Sequence, residues 1–310
     1  MEHRTDGILL VDKHEGETSY EVVKRSKFAF GRLRVRKVGH AGTLDPFATG
    51  LLIILLGQGT KLSPFLMTGK KVYLATMRLG VETDTLDLTG RVVRTSPVPH
   101  LTSEQIHEKA WGFVGEIAQV PPLYSAIKHE GQRAYKLARK GLKVRLKRRI
   151  VTVYSLEIQT VQLPDVTMKV TCSRGTYMRS LAADLGRQLG PGSHLISLRR
   201  LSSGAFEVQN ALSSKEISHN ECSSFLLDRV IPLRAALPDM YEIQVAGLLA
   251  KKIRNGYQPT LEELNNGINV SGFGVGYVKL ASDNELVAIT KIRKSGGFGQ
   301  GTLKIERVFS

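Results

Sequence analysis

The chain has 310 residues, and 44 lysines and arginines against 28 aspartates and glutamates give it a formal net charge of +16. That excess predicts a polyanionic partner, nucleic acid before an acidic membrane surface. The longest apolar run, Leu51 to Leu56, covers only about a third of a membrane span. Cys172 and Cys222 are too few for a disulfide framework or a zinc site. We therefore expect a cytoplasmic protein without a membrane anchor.

Strand and helix patterns alternate in the first part of the chain. Residues Gly7 to Val11 are typical of a buried strand, and a helix with a period near 3.6 follows from about Tyr20 to Arg32. The run from Leu51 to Leu56 fits a buried strand or a short helix, because an unbroken apolar run has no period. A strand is predicted over Val72 to Leu79 and a helix over Thr102 to Phe113, with Thr102 or Ser103 as its cap.

The middle of the chain continues this mixture. A basic helix is predicted from about Gln132 to Lys140, where Gly141 ends it. Strands follow at Val151 to Thr160 and Val166 to Ser173, and a further helix ends at Gly190. Because no regular strand-helix-strand rhythm is present, the pattern favours the α+β class.

The sequence pattern changes from about Leu237 onward. Glycine- and asparagine-rich turns separate the short runs "GVGYVKLA", "ELVAITKI" and "TLKIERVF", a pattern typical of a small β-barrel. We predict two domains, residues 1–235 and 238–310, with the boundary near Pro232 to Pro238.

Two runs hold much of the basic excess. Seven lysines and arginines and no acid lie between Val23 and Val38, and ten against one lie between Lys128 and Arg149. One such run is often only a solvated face, but two separated runs favour a surface that binds phosphates. The residues predicted to bind phosphate are Arg34, Arg36, Lys37, Lys128, Arg133, Arg139, Lys140, Arg148 and Arg149.

Several cofactor motifs are missing. The loop Gly39 to Gly42 lacks the glycine spacing of a dinucleotide fingerprint and the lysine of a phosphate loop. The segment "ETDTLDLTG", with Asp84 and Asp87, lacks the ligand spacing of a calcium loop and is better explained as a turn after a strand. No HxxxH pair is present. We expect neither a metal nor a cofactor.

Asp45 stands in "GHAGTLDPFATG", where an aspartate before a proline is commonly a turn opener and nothing more. It does not stand alone, however. His40, Asp45, Tyr73, Tyr177 and Arg179 follow one another in an order, with Lys13 before them, that resembles the TruB family of RNA pseudouridine synthases.

The resemblance extends from Gly7 to about Phe206. The blocks that carry it are "GILLVDKHEGETS", with His14 where the family has proline, "GHAGTLDPFATGLLIILLGQGTK", "KKVYLATMRLGVETDTLDLTG", "PPLYSAIKHEGQRAYKLARKG", "RGTYMRSLAADLG" and "GSHLISLRRLSSGAF". The fourth is similar to an RNA-gripping insertion called the thumb, here about residues 124–150. The C-terminal part is similar in texture to a PUA-type RNA-binding module.

The resemblance implies a fold and an activity. The fold is a mixed, largely antiparallel central sheet flanked by helices, followed by a small PUA-like β-barrel. The activity is the conversion of uridine to pseudouridine at position 55, in the TΨC loop of tRNA, by a monomer that needs no cofactor, metal or obligatory protein partner. The TΨC arm of tRNA is then its partner.

The resemblance also implies a role for each site residue. Asp45 is the nucleophile, and whether it attacks C1′, attacks C6 or removes a 2′ proton stays open. Arg179 is expected to keep Asp45 charged and to lower its pKa further. Tyr73 stacks on the flipped uracil, and His40 fills the gap left in the RNA. Tyr177 and Leu198 line the uracil pocket, and Lys13 either supports the Asp45 loop or touches phosphate.

Three alternatives remain open. A nucleic-acid glycosidase also acts at a glycosidic carbon, but it usually needs a second carboxylate as proton donor. An RNA chaperone needs only the positive charge. A guide-RNA-dependent pseudouridine synthase of the same superfamily works within a multi-protein particle and has longer extensions at both ends.

Overall fold

The structure is a computed structural model. It describes residues 5–31, 33, 35–125, 127–129, 131–139, 142, 144, 146–217, 224–264, 276–294 and 301–310. In these ranges, no helix is both long enough and apolar enough to cross a membrane.

Short strands and helices follow one another along the chain. The strands are β1 Gly7–Lys13, β2 Val38–His40, β3 Thr49–Leu56, β4 Lys71–Leu79, β5 Val81–Thr83, β6 Val92–Thr95, β7 Gly115–Gln119, β8 Lys128–His129, β9 Gln132–Arg133, β10 Arg149–Gln162, β11 Asp165–Cys172, β12 Ser193–Ser203, β13 Phe206–Glu207, β14 Leu212–Ser213, β15 Ile231–Pro232, β16 Glu242–Gln244, β17 Gly276–Ser282, β18 Glu285–Lys294 and β19 Gly301–Val308. The helices are α1 Ser19–Gly31, α2 Ser63–Leu66, α3 Ser103–Trp111, α4 Ala134–Arg139, α5 Met178–Leu189, α6 Ser224–Asp228, α7 Gly247–Arg254 and α8 Leu261–Leu264.

One large sheet organises the first two thirds of the chain. Its main path runs β14-β1-β3-β12-β4-β11-β10-β7, while β2 pairs with β3, β13 with β12 and β15 with β1. The pairs β1–β14 and β3–β12 are parallel, and the other pairs in this sheet are antiparallel. The prediction of an α+β protein with a mixed, largely antiparallel central sheet is confirmed.

Strand β3 explains the unbroken apolar run at Leu51 to Leu56. Leu52, Ile54 and Leu56 face a core built with α1, α3 and α5. The alternate residues, Leu51, Ile53 and Leu55, face a second core that includes residues of β18 and the C-terminus. Because both faces of this strand are buried, every position is apolar and the period-two signal disappears.

The C-terminal region forms a separate four-stranded sheet in the order β16-β17-β18-β19. Within the described residues β16 and β19 are its two edges, so the predicted small β domain is present but its sheet is open and does not close into a barrel. Leu286, Ile289 and Phe309 pack into the second core beside β1 and β3. Lys61 also donates to the Val308 carbonyl at 2.7 Å. The exact domain limits, 1–235 and 238–310, stay a prediction.

Several local predictions are confirmed. Thr102 caps α3 in a reciprocal capping box with Gln105, and Gly190 ends α5 with φ +108°. The basic helix begins at Ala134 and extends to Arg139, while Lys140 and Gly141 lie outside the described residues. Strands β7 and β12 were not predicted, and β12 lies at the centre of the sheet between β3 and β4.

Candidate active site

Asp45 opens a tight turn in the loop between β2 and β3. The Ala48 amide donates to the Asp45 carbonyl at 3.1 Å, a turn for which proline at the second position is well suited. Ser19, at the start of α1, fixes the residue before Asp45: its hydroxyl donates to the Leu44 carbonyl at 3.1 Å and accepts from the Leu44 amide at 2.9 Å. The turn predicted from sequence is present, and it is anchored from outside.

Lys13 supports the same turn through hydrogen bonds to main-chain carbonyls. Its ammonium group donates to the carbonyls of His14, Glu17 and Pro46 at 2.8, 2.7 and 3.1 Å, and the residue is 0% exposed. Burial lowers the pKa of Lys13 to about 8, although nearby carboxylates oppose that shift. Because all three donors of the ammonium are used by carbonyls, this geometry favours loop support over phosphate contact.

Arg179 binds the carboxylate of Asp45 from the first turn of α5. Arg179 Nη2 donates to Asp45 Oδ1 at 3.1 Å, and Nε lies 2.9 Å from Oδ2. The Arg179 side chain is only 4% exposed, whereas that of Asp45 is 33% exposed. A buried arginine thus holds an acid that still faces solvent, and a substrate can reach the acid.

Asp87 holds the opposite side of Arg179, at 3.2 Å from Nη1. Its other oxygen accepts from the Thr85 hydroxyl at 2.7 Å and from the Thr89 amide and hydroxyl at 3.0 and 2.6 Å. Leu86, just before it, has φ +62°, a left-handed conformation that costs a leucine about 1–2 kcal/mol. This strained turn directs Asp87 inward, so that Arg179 lies between two carboxylates.

The pKa of Asp45 is raised above that of an ordinary aspartate. Burial is the main cause, the neighbouring Asp87 adds to it, and the charge of Arg179 acts in the opposite direction. The expectation that the pKa would be lowered further is therefore wrong. It counted the guanidinium but not the desolvation of the carboxylate or the second acid behind Arg179.

Tyr73 and Leu198 lie on neighbouring central strands. Tyr73, on β4, is opposite Arg200 of β12, and Leu198 is opposite Ala75. Burial raises the pKa of Tyr73, which interacts electrostatically with Asp45 and is within hydrogen-bonding reach of Arg200. The Leu198 side chain is 7% exposed and belongs to the first core. Tyr73 is thus brought to Asp45, and Leu198 backs the same part of the sheet.

His40 and Tyr177 border this group. His40 is half-buried on β2, and burial, together with the charge of Arg200, lowers its pKa, so its imidazole is neutral at neutral pH. Tyr177 precedes α5, where its amide donates to Gln119 Oε1 at 2.8 Å and its carbonyl accepts from Gln119 Nε2 at 3.0 Å. Burial raises the pKa of Tyr177, which also interacts with Asp45 and Arg179.

The described phosphate-binding candidates lie on the surface. Arg36, Lys37, Arg133, Arg148 and Arg149 are all exposed. Lys128 and Arg139 belong to β8 and α4, with nothing described of their side chains, and Arg34 and Lys140 lie outside the described residues. Arg179 Nη2 also donates to the Tyr124 carbonyl at 3.0 Å, so the start of the basic insertion is tied to the site.

Sequence reasoning missed two residues of this site, Asp87 and Arg200. Asp87 was assigned to a turn, which is correct for the backbone. The available signal was a threonine two residues before and after it, since such hydroxyls bind a nearby carboxylate locally. Arg200 lies on β12, a strand that was not predicted. Its neighbour Arg199 is an ordinary partly exposed arginine paired with Asp12 at 2.6 Å, and nothing in the sequence separates the two.

Within the described ranges, neither a metal cluster nor the apolar cavity beside the C-terminal region offers a second centre for chemistry. No group of three or more histidine, cysteine, aspartate or glutamate side chains is placed to hold a metal ion there. A cavity of about 270 Å³ lies between the large sheet and the C-terminal region, lined mainly by apolar residues such as Phe65, Phe206 and Tyr277. No predicted site residue lines that cavity.

Comparisons with known proteins agree with this geometry. Residues 31–178 match the family model of the TruB family pseudouridylate synthase N-terminal domain, and residues 179–237 match that of the tRNA pseudouridylate synthase B C-terminal domain. The first match includes Asp45, Tyr73 and Tyr177, and the second begins at Arg179.

Curated relatives and solved structures extend the likeness. The chain is 40% identical over 306 residues to tRNA pseudouridine synthase B of Geotalea uraniireducens, and 42% identical over 313 residues to that of Syntrophus aciditrophicus, each covering 98% of both chains. The fold is similar to that in the crystal structure of a Cbf5-Nop10-Gar1 complex, with a TM-score of 0.74 and 24% identity over 99% of this chain and 86% of that one. The chain therefore belongs to the TruB family of pseudouridylate synthases.

Proposed function

We propose that this protein converts a uridine in the TΨC loop of tRNA, at position 55, to pseudouridine, with Asp45 as the reactive acid. One observation carries the proposal: a partly exposed carboxylate on an anchored turn is bound by a buried arginine, beside a tyrosine on the neighbouring part of the sheet. That arrangement offers a fixed nucleophile and a stacking surface in one place.

The residues supply what the isomerisation needs. The reaction breaks the N1–C1′ bond, rotates the base and forms a C5–C1′ bond, so the composition of the RNA does not change. Arg179 keeps Asp45 oriented and favours its ionised form. Extruding the uridine costs a few kcal/mol, and stacking on the Tyr73 ring returns about 1–3 kcal/mol. His40, neutral and five residues before Asp45, occupies the space that the base leaves.

The surface charges supply affinity. The exposed arginines at both ends of the basic insertion, including Arg133, Arg148 and Arg149, bind the phosphates of the TΨC arm. Flipped bases and RNA shape provide selectivity. We infer that residues 238–310 act as a PUA-like RNA-binding domain, and that the protein works as a monomer without a cofactor. A tRNA substrate also favours the cytoplasmic location predicted from the sequence.

The comparisons favour this function over that of a guide-RNA-dependent enzyme. The curated relatives named tRNA pseudouridine synthase B are about 40% identical over nearly the full chain. The structure that contains Cbf5 with Nop10 and Gar1 is 24% identical, which supports a shared fold alone. A glycosidase is disfavoured because Asp87 is fully engaged by Arg179 and two threonines, and is not free to act as a proton donor.

The test is tritium release from an unmodified tRNA transcript that carries C5-tritiated uridine. We expect release by the wild-type protein, and a loss of at least about 10⁴-fold in Asp45→Ala and in the isosteric Asp45→Asn. Binding of tRNA should be largely retained in both variants, because Asp45 supplies no phosphate contact.

Three outcomes would contradict the proposal. Equal release by wild type and Asp45→Asn would remove Asp45 from the chemistry. Free uracil among the products would indicate a glycosidase. Release only after addition of a guide RNA would indicate the other branch of the superfamily.

A further inference from the structure

Arg200 is the largest fully buried side chain in the described part of the molecule, at 2% exposure. Its backbone lies on β12, directly between β3 and β4: it is opposite Gly50 in the parallel pair and opposite Tyr73 in the antiparallel pair. Gly50 has φ +99°, and a Cβ at that position would overlap the Arg200 carbonyl oxygen. The chain thus places Arg200 in a position that tolerates little movement.

The guanidinium of Arg200 closes the Asp45 loop from both ends. Nε donates to the Leu51 carbonyl at 2.6 Å, and Nη2 donates to the Gly42 carbonyl at 3.1 Å. Nη1 makes a longer contact of 3.5 Å to the Thr43 carbonyl. Two of these carbonyls precede Asp45 and one follows it, so one side chain links the two stems of the loop.

The same guanidinium reaches the stacking residue. From β12, which lies between β3 and β4, the guanidinium is within hydrogen-bonding reach of the Tyr73 hydroxyl on β4. Within the described residues Arg200 forms no ion pair with a carboxylate, unlike Arg179, which has Asp45 and Asp87. A buried cation that only carbonyls and a phenol satisfy is costly, and a fold that needed only stability would gain more from an apolar residue there.

We propose that Arg200 is a positioning residue for the reaction: it fixes the Asp45 loop at a set distance from the ring of Tyr73. An arginine suits this role because its planar fork offers five donors in fixed directions, whereas a lysine offers one compact group on a flexible stem. The proposal rests on the proposed function, and it adds a residue that touches neither substrate nor Asp45 itself.

The test compares three variants under saturating and limiting tRNA. Arg200→Lys keeps the charge but loses the fork, and Arg200→Met removes both. Arg199→Lys is the matched control, since Arg199 is the next residue on the same strand and pairs with Asp12. Each variant is assayed well below its own melting temperature, with circular dichroism to establish that it is folded.

We expect kcat of Arg200→Lys to fall about 100-fold, because a displacement of about 1 Å at a reactive group has an effect of that size. The KM and the Kd for tRNA should change less than about threefold. Unfolding alone would have to affect nearly all of the sample to give such a loss of kcat, and circular dichroism would detect that. Arg200→Met should lose at least as much, and Arg199→Lys should stay within about threefold of wild type.

An Arg200→Lys variant that is folded and keeps kcat within about threefold of wild type would overturn the inference. So would a loss of kcat that is matched by an equal loss of tRNA affinity. A wild-type protein that releases no tritium from tRNA would instead refute the proposed function, so the two failures are distinguishable.

Discussion

The buried cations around the Asp45 turn and the exposed cations of the basic insertion belong to the same residue types but have opposite surroundings. The buried cations are Lys13, Arg179 and Arg200, and their hydrogen-bond and ion-pair partners are carbonyls and carboxylates, with the Tyr73 hydroxyl within hydrogen-bonding reach of Arg200. The exposed cations are Arg133, Arg148 and Arg149, which stand in solvent. Buried charges are little screened by salt, whereas exposed charges are screened within about 10 Å at 0.1 M. The first group therefore fixes geometry, and the second is the group that we propose attracts RNA.

The largest effect is expected at Gly50, where the main chain lies directly against the main chain of Arg200. Gly50→Ala must place a Cβ against the Arg200 carbonyl at φ +99°, and we expect it to lower the free energy of unfolding by at least about 3 kcal/mol. Gly256→Ala is the control, because Gly256 has φ +94° but no atom lies within 4 Å of the position that its Cβ would take. That variant should lose only about 1–2 kcal/mol. Urea denaturation measures both values, and equal losses would mean that the close approach of Arg200 is unimportant.

The next effect concerns the carboxylate behind Arg179. Asp87→Asn removes the charge that holds Nη1, and we expect kcat to fall about 100-fold with little change in tRNA affinity. Asp84→Asn is the control in the same turn, since Asp84 is exposed and, among the described residues, its side chain accepts a hydrogen bond from the Arg91 amide alone, at 2.9 Å. Single-turnover tritium release measures both. If the two variants behave alike, Asp87 contributes only to the turn.

A smaller effect is expected for the exposed group. Charge reversal at Arg148 and Arg149 should raise KM about tenfold at low salt and reduce the salt dependence of binding by about one unit of slope for each phosphate that is no longer bound. Charge reversal at Lys109 and Lys215, which are also exposed, gives the same net charge as the first double variant. It should leave the slope unchanged. Filter binding across a salt series measures the slope. An unchanged slope in the first double variant would place the RNA elsewhere.

The smallest effect is expected in the dependence of kcat on pH. In the proposed reaction Asp45 acts in its ionised form, so activity should be lost as pH falls through its pKa. Burial places this acid-side loss above the pH range of an ordinary aspartate. Lys13 is protonated below its pKa of about 8. As pH rises through that value, Lys13 loses one of three donors and the Pro46 turn loosens, so activity should decline severalfold.

Two lysine variants test which lysine causes the predicted decline in activity at alkaline pH. Burial lowers the pKa of Lys71 to about 8 as well, but its ammonium donates to the Met67 and Gly69 carbonyls, away from the Asp45 turn. Lys13→Met should therefore abolish the decline near pH 8, and Lys71→Met should retain it. The reverse result would remove Lys13 from the support of the loop.

Much of the fold was predictable because its signals are local. The capping box at Thr102 and the glycine that ends α5 are defined within a few residues. The strand at Leu51 to Leu56 could not be separated from a helix, since two different cores cover its two faces. That the small β domain does not close into a barrel could not be predicted for a similar reason: short strands and turns indicate a sheet, but whether its edges meet depends on pairing between distant segments.

The site residues also divide into those that the sequence identified and those that it did not. Asp45, Tyr73 and Arg179 were identified through their resemblance to family motifs, and the structure brings them together. Asp87 and Arg200 were missed because their roles arise from contacts over 92 and 158 residues of chain. The pKa of Asp45 was predicted in the wrong direction, since desolvation depends on everything packed around the carboxylate.

The sequence by itself determined the class of fold, the turn at Asp45, the basic surface and the family, because each depends on local pattern or on composition. Only the tertiary structure decided which acids and bases are buried, what satisfies them, and in which direction their pKa values shift. The physical reason is that the free energy of a charge depends on solvent exclusion and on partners in three dimensions. Neither can be read from spacing along the chain.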